Sequence, residues 1–93
     1  MPYKRSSVLS QELTDYLIFR RAGGVKMEKE YVFNNFDAHL IENHYESKIP
    51  DREIVMSFCS LREGEKIRNL TNRVTTIRGF LNYLVNVRKY EGI

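Results

Sequence analysis

The sequence predicts an all-α fold, a compact four-helix bundle forming a single domain over residues 1–93. Three observations predict it. Apolar residues recur at spacings of three and four in four separate stretches, the period of one helix face. Glycine or proline marks the boundaries: Gly23-Gly24, Pro50 and Gly64. The chain has 93 residues, with 42% apolar and 29% charged, so it has one modest core and little room for a buried active site.

The first helix is expected to start near Ser6 or Ser7, either of which can cap free backbone N–H groups. Leu9, Leu13, Tyr16 and Leu17 share its inner face. Gly23-Gly24 stops it, and Arg20 and Arg21 fall in its last turn, where cations suit the helix dipole. The second helix is expected over about Lys26 to Asn43. Its stripe is Val32, Phe33, Phe36, Leu40 and Ile41, and its first turn carries Glu28 and Glu30. The third follows Ile49-Pro50-Asp51, with Ile54, Phe58 and Leu61 on one face, and ends at Glu63-Gly64-Glu65. The fourth, about Lys66 to Tyr90, is the longest. Ile67, Leu70, Val74, Ile77, Leu81 and Leu84 make its expected core stripe.

Several chemistries find no support. A lone cysteine, Cys59, leaves no internal disulfide framework. His39 and His44 are five apart and do not share a helix face as a metal pair would, and there is no glycine-rich phosphate loop. No carboxylate pair is marked for acid–base work: Asp15, Asp37 and Glu42 are scattered along two helices. No cofactor, no metal and no catalytic residue is expected in this chain. There is no secretory pattern at the N-terminus and no apolar run near the roughly 20 residues a membrane helix needs. A cytoplasmic protein without a membrane partner is expected.

The net charge of +3 conceals an asymmetry. Residues 1–26 carry +3, residues 27–65 carry −5 and residues 66–93 carry +5. Between Lys66 and Lys89 there is no acidic residue. A solvated helix face usually mixes both signs, because oppositely charged pairs at i, i+4 add stability. Here Arg68, Asn72, Thr75, Gly79 and Asn82 cluster opposite the expected core stripe, flanked by Arg78 and Lys89. Gly79 in mid-helix costs about 1 kcal/mol relative to alanine, which suggests that a second surface needs room there. An anionic partner is expected on this side. Arginine and lysine make the phosphate contacts that dominate affinity for nucleic acid, and a helix fits the major groove of a duplex. Arg68, Asn72, Thr75 and Arg78 are the candidate contacts, with Lys26 and Lys29 adding phosphate contacts from the second helix start. Arg73 lies near the apolar edge, where a carboxylate of the acidic middle segment is an alternative partner.

The order of these pieces resembles a known family. The first helix carries Leu13-Thr14-Asp15-Tyr16-Leu17 and ends in Arg20-Arg21-Ala22-Gly23-Gly24. The second carries Tyr31, Phe33, Phe36-Asp37 and Leu40, and Ile49-Pro50-Asp51-Arg52-Glu53-Ile54 opens the third. In the last helix Asn72-Arg73, Ile77-Arg78, Phe80 and Tyr83-Leu84 follow in order. This resembles the N-terminal core-binding, SAM-like domain of tyrosine recombinases and phage integrases, over about Leu9 to Tyr90. Two positions depart: the Met27-Glu28 region stands where the family usually has a threonine, and Phe58 stands for its usual tryptophan.

The resemblance implies a SAM-like orthogonal four-helix bundle that grips one face of double-stranded DNA during integration and recombination. It adds Arg73 to the candidate DNA contacts. It also implies a separate C-terminal catalytic domain in the same parent chain, which carries the tyrosine nucleophile, and neighbouring recombinase protomers on DNA. The present chain is then expected to be a binding module excised from a larger enzyme, and not itself an enzyme. The alternative is a small helical protein-interaction module that docks through its basic face.

Overall fold

A computed structural model describes residues 4–24 and 30–91. Among them the structure is all-α: four helices and no strand. The helices are α1 (Ser10–Ala22), α2 (Glu30–Glu42), α3 (Arg52–Phe58) and α4 (Ile67–Asn86). The chain divides into two compact units, Met1–Lys48 with α1 and α2, and Ile49–Ile93 with α3 and α4.

In the first unit, Leu9, Leu13, Tyr16 and Leu17 are buried from the α1 side, and Val32, Phe33, Phe36 and Leu40 from α2. Tyr16 meets Phe33 edge-on, with ring centroids 5.6 Å apart, an arrangement the ring quadrupoles favour. The start of α1 differs from the expectation. Neither Ser6 nor Ser7 caps it through its hydroxyl: Leu9 is the N-cap residue, with no side-chain hydrogen bond. Instead the fully buried carboxylate of Asp37, on α2, accepts hydrogen bonds from the backbone N–H of Ser6 (3.2 Å) and of Ser7 (3.0 Å). The Ser7 carbonyl then accepts from the N–H of Ser10 at 3.0 Å and opens the helix. An anchor that another helix supplies to the segment before α1 cannot be seen by scanning the residues next to the helix start.

At its other end, α1 stops at Ala22, and Gly24 takes the left-handed conformation, φ +82°. α2 ends in a Schellman closure: the N–H of Tyr45 reaches the Leu40 carbonyl and the N–H of His44 reaches that of Ile41. His44 occupies the left-handed position, φ 53°. Ile41, expected in the apolar stripe, is exposed. The expected start of α2 between Lys26 and Lys29 lies outside the described residues.

In the second unit, Asp51 caps α3 by accepting from the Ile54 N–H at 2.8 Å, and Pro50 sits buried just before it. α3 ends at Phe58, well before Glu63, and Leu61 is exposed beyond it. The backbone beyond it is held from α4. The guanidinium of Arg73 takes the carbonyls of Phe58 and Ser60, each at 2.8 Å, and so fixes the backbone as it leaves the helix. The turn that follows closes at Gly64, φ +75°, with the Glu65 N–H donating to the Arg62 carbonyl.

α4 buries Arg73, Ile77, Phe80, Tyr83 and Leu84. This is not the expected stripe. Ile67 is exposed, and Leu70, Val74 and Leu81 are only half-buried. The buried face is turned by about 80° towards Phe80, at about 100° per residue. Phe80 and Tyr83, absent from the expected stripe, draw the buried face round, and Arg73, expected near the apolar edge, holds a core position at its centre.

Candidate nucleic-acid interface

The rotation of α4 redefines its outer face. Arg68, Thr71, Thr75, Arg78, Asn82 and Val85 are all exposed. Their spacing of three, four, three, four and three places them in one ridge, opposite the buried face. Lys89 is exposed too, but it lies after the helix, in a left-handed turn at φ 60°. Gly79 lies half-buried at the edge of the ridge. The helix begins at an uncapped end: Lys66, in the cap position, makes no side-chain cap, and no acidic residue occupies the first turn. The Asn69 N–H turns back to the Lys66 carbonyl at 3.0 Å, and the N–H groups before it have no carbonyl of a preceding helical turn to meet, so this end carries partial positive charge.

Arg68, Thr75 and Arg78 are exposed on the ridge. Asn72 is half-buried and engaged within the protein, not on the ridge. Its neighbour Thr71 takes the ridge position, and nothing in the sequence pattern separates the two until the phase of the helix is known. Lys26 and Lys29 lie outside the described residues.

Arg73 points inward. Its side chain is 8% exposed, and its guanidinium grips both oxygens of Glu65, one at 2.9 Å, while also donating to the two α3-end carbonyls. Its charged plane also sits 5.7 Å from the Phe58 ring centroid. This fork fits arginine and no other side chain. The pairing holds the Glu65 carboxyl well below the usual carboxylate range, at about 2, through the hydrogen bond from Arg73 and then that from the Arg62 backbone. The same pair raises the Arg73 guanidinium above its ordinary value. Burial pushes the Cys59 thiol up, which makes it a poor nucleophile.

Three basic residues of the first unit, Arg5, Arg21 and Lys48, have carboxylate partners close by. Arg5 bonds Glu30 at 3.3 Å and Asn34 at 2.8 Å, and Arg21 reaches the other oxygen of Glu30 at 3.1 Å. Lys48 approaches buried Glu12 at 3.7 Å and donates to the Val8 carbonyl at 2.9 Å. On α4, neither Arg68 nor Arg78 forms an ion pair among the described residues. Among the described residues, the two ridge arginines are thus without ion-pair partners and are interleaved with short polar side chains.

Among the described residues there is no group of three or more His, Cys, Asp or Glu side chains that could hold a metal ion, and no helix long and apolar enough to cross a membrane. No protein-family model, curated protein or solved structure matches the chain.

Proposed function

We propose that this chain is the DNA-binding module of a tyrosine recombinase or phage integrase, a SAM-like bundle that grips one face of duplex DNA. One observation carries the reading: the exposed ridge of α4 presents Arg68 and Arg78 without carboxylate partners among the described residues, in a stretch free of acidic residues from Lys66 to Lys89. The ordered motifs shared with the family support it. In this reading Arg68, Thr75 and Arg78 meet DNA, Lys26 and Lys29 add phosphate contacts, and Arg73 acts from within by holding the frame of α4. Catalysis belongs to a separate domain of the parent chain.

The test is fluorescence anisotropy with a labelled duplex at several salt concentrations. Half of a clamp binds weakly, so micromolar or poorer affinity is expected. The log–log slope against salt should be steep, with roughly 0.9 for each phosphate neutralised. No binding at low salt, or a flat response, overturns the proposal.

A second reading has its own observation. Ile67, 71% exposed, lies beside the ridge, and Val85, 39% exposed, ends it, and together with the ridge arginines they suit a protein partner with an acidic surface. It predicts concentration-dependent association at low salt, which sedimentation velocity would detect.

A further inference from the structure

The ridge has an internal order that bears on what it reads, an inference that rests on the DNA-binding proposal. Arg68 and Arg78 are ten positions apart on α4. At about 100° and 1.5 Å per residue they stand about 80° apart around the helix axis and about 15 Å apart along it. Their midline is the crest of the ridge, and close to that crest lie Thr71, Thr75 and Asn82, all exposed. When the crest faces the floor of a major groove, the two arginines diverge towards its opposite walls, where the phosphates are. Their reach and charge suit phosphate. The residues facing the floor are then two threonines and an asparagine. Each threonine offers a methyl group, whose complement on the base edges is the C5-methyl of thymine. Asparagine has a bidentate match in adenine.

We infer that α4 reads A·T pairs through Thr71, Thr75 and Asn82, while Arg68 and Arg78 hold the phosphate walls and contribute no base preference. Thr71 and Asn82 thereby enter the interface, and Asn72 leaves it.

The experiment compares the full chain on three duplexes of equal length: poly(dA)·poly(dT), poly(dA)·poly(dU), and poly(dG)·poly(dC). Uracil differs from thymine only in lacking the C5-methyl. The wild type should prefer the thymine duplex over the uracil duplex by about fourfold for each methyl buried. The double variant Thr71→Ser, Thr75→Ser keeps both hydroxyls and removes both methyls, so it should bind the two duplexes equally. Asn82→Ala should reduce the preference for A·T over G·C. Arg68→Ala and Arg78→Ala should weaken binding to all three duplexes by the same factor. Circular dichroism checks that each variant folds. Binding without a thymine-over-uracil preference, or a preference that survives in the double serine variant, overturns this inference and leaves the DNA-binding proposal standing. Failure to bind any duplex at low salt overturns both.

Discussion

Arg73 is the residue on which the second unit turns. It sits in the middle of a basic helix, yet its guanidinium serves Glu65 and two backbone carbonyls of its own unit. Lysine keeps the charge but offers a point donor in place of a planar fork. Arg73→Lys should therefore destabilise the chain by about 2 kcal/mol, since each lost hydrogen bond to a charged group is worth about 1.5–3 kcal/mol. Urea denaturation measures this, and a change within error of zero would show that the fork is dispensable. The partner supplies a pH test. The folded Glu65 carboxyl titrates at about 2, below its ordinary 4.5, so the folded state binds its proton later than the unfolded chain does. Its stabilising contribution is complete above about pH 4.5 and is lost as pH falls through about 2. Stability measured across that window should fall with acid, and Glu65→Gln should flatten the slope. An identical slope in the variant would place the acid sensitivity elsewhere. Little of this was legible beforehand. The position of Arg73 near the apolar edge was visible in the periodicity, but Glu65 read only as part of a helix stop. Asp37 was likewise one of several scattered acids, because its partners lie about thirty residues away in the chain.

At the scale of elements, spacing and punctuation carried most of the information. Gly23-Gly24, the Ile49-Pro50-Asp51 start and the long fourth helix are local signals, and the structure follows them, with Asp51 as the cap. The phase of α4 is not local. Six aliphatic positions define a stripe by counting, but burial is decided by volume and partners, and Phe80, Tyr83 and the stem of Arg73 win over Ile67, Val74 and Leu81. Aromatic side chains bury more area than aliphatic ones, so a stripe counted without weighting by size drifts from the true face. Leu84 belongs to both stripes and is fully buried, whereas Arg78 lies outside both. Leu84→Ala should cost about 2–5 kcal/mol. Arg78→Ala should leave the thermal midpoint nearly unchanged while weakening binding to DNA. Melting curves of both variants, set beside anisotropy, separate the two faces; an unfolded Arg78→Ala would mean that the ridge is misassigned.

Across the whole molecule the charge divides along the line between the two units. Residues 1–48 carry seven basic and seven acidic residues; residues 49–93 carry eight basic and five acidic. The entire surplus of +3 thus belongs to the unit that contains α4. Pairing varies within the units as well: Glu30 engages both Arg5 and Arg21, and Glu65 engages Arg73, while the ridge arginines have no such partner among the described residues. A paired arginine must give up its carboxylate before it can neutralise a phosphate, so it releases fewer counterions on binding than a free one. Arg21 is 54% exposed, as accessible as a contact residue needs to be, and it differs from Arg68 chiefly in having a partner. The comparison of these two residues in the full chain therefore isolates charge compensation. Arg68→Ala should lower the slope of log affinity against log salt by roughly 0.9, the contribution of one phosphate. Arg21→Ala should leave the slope unchanged. The titrations belong at low ionic strength, where the Debye length reaches about 30 Å at 0.01 M and weak binding stays measurable. Equal falls in slope for the two variants would mean that the first unit grips DNA as strongly as the ridge, and that Glu30 yields to phosphate.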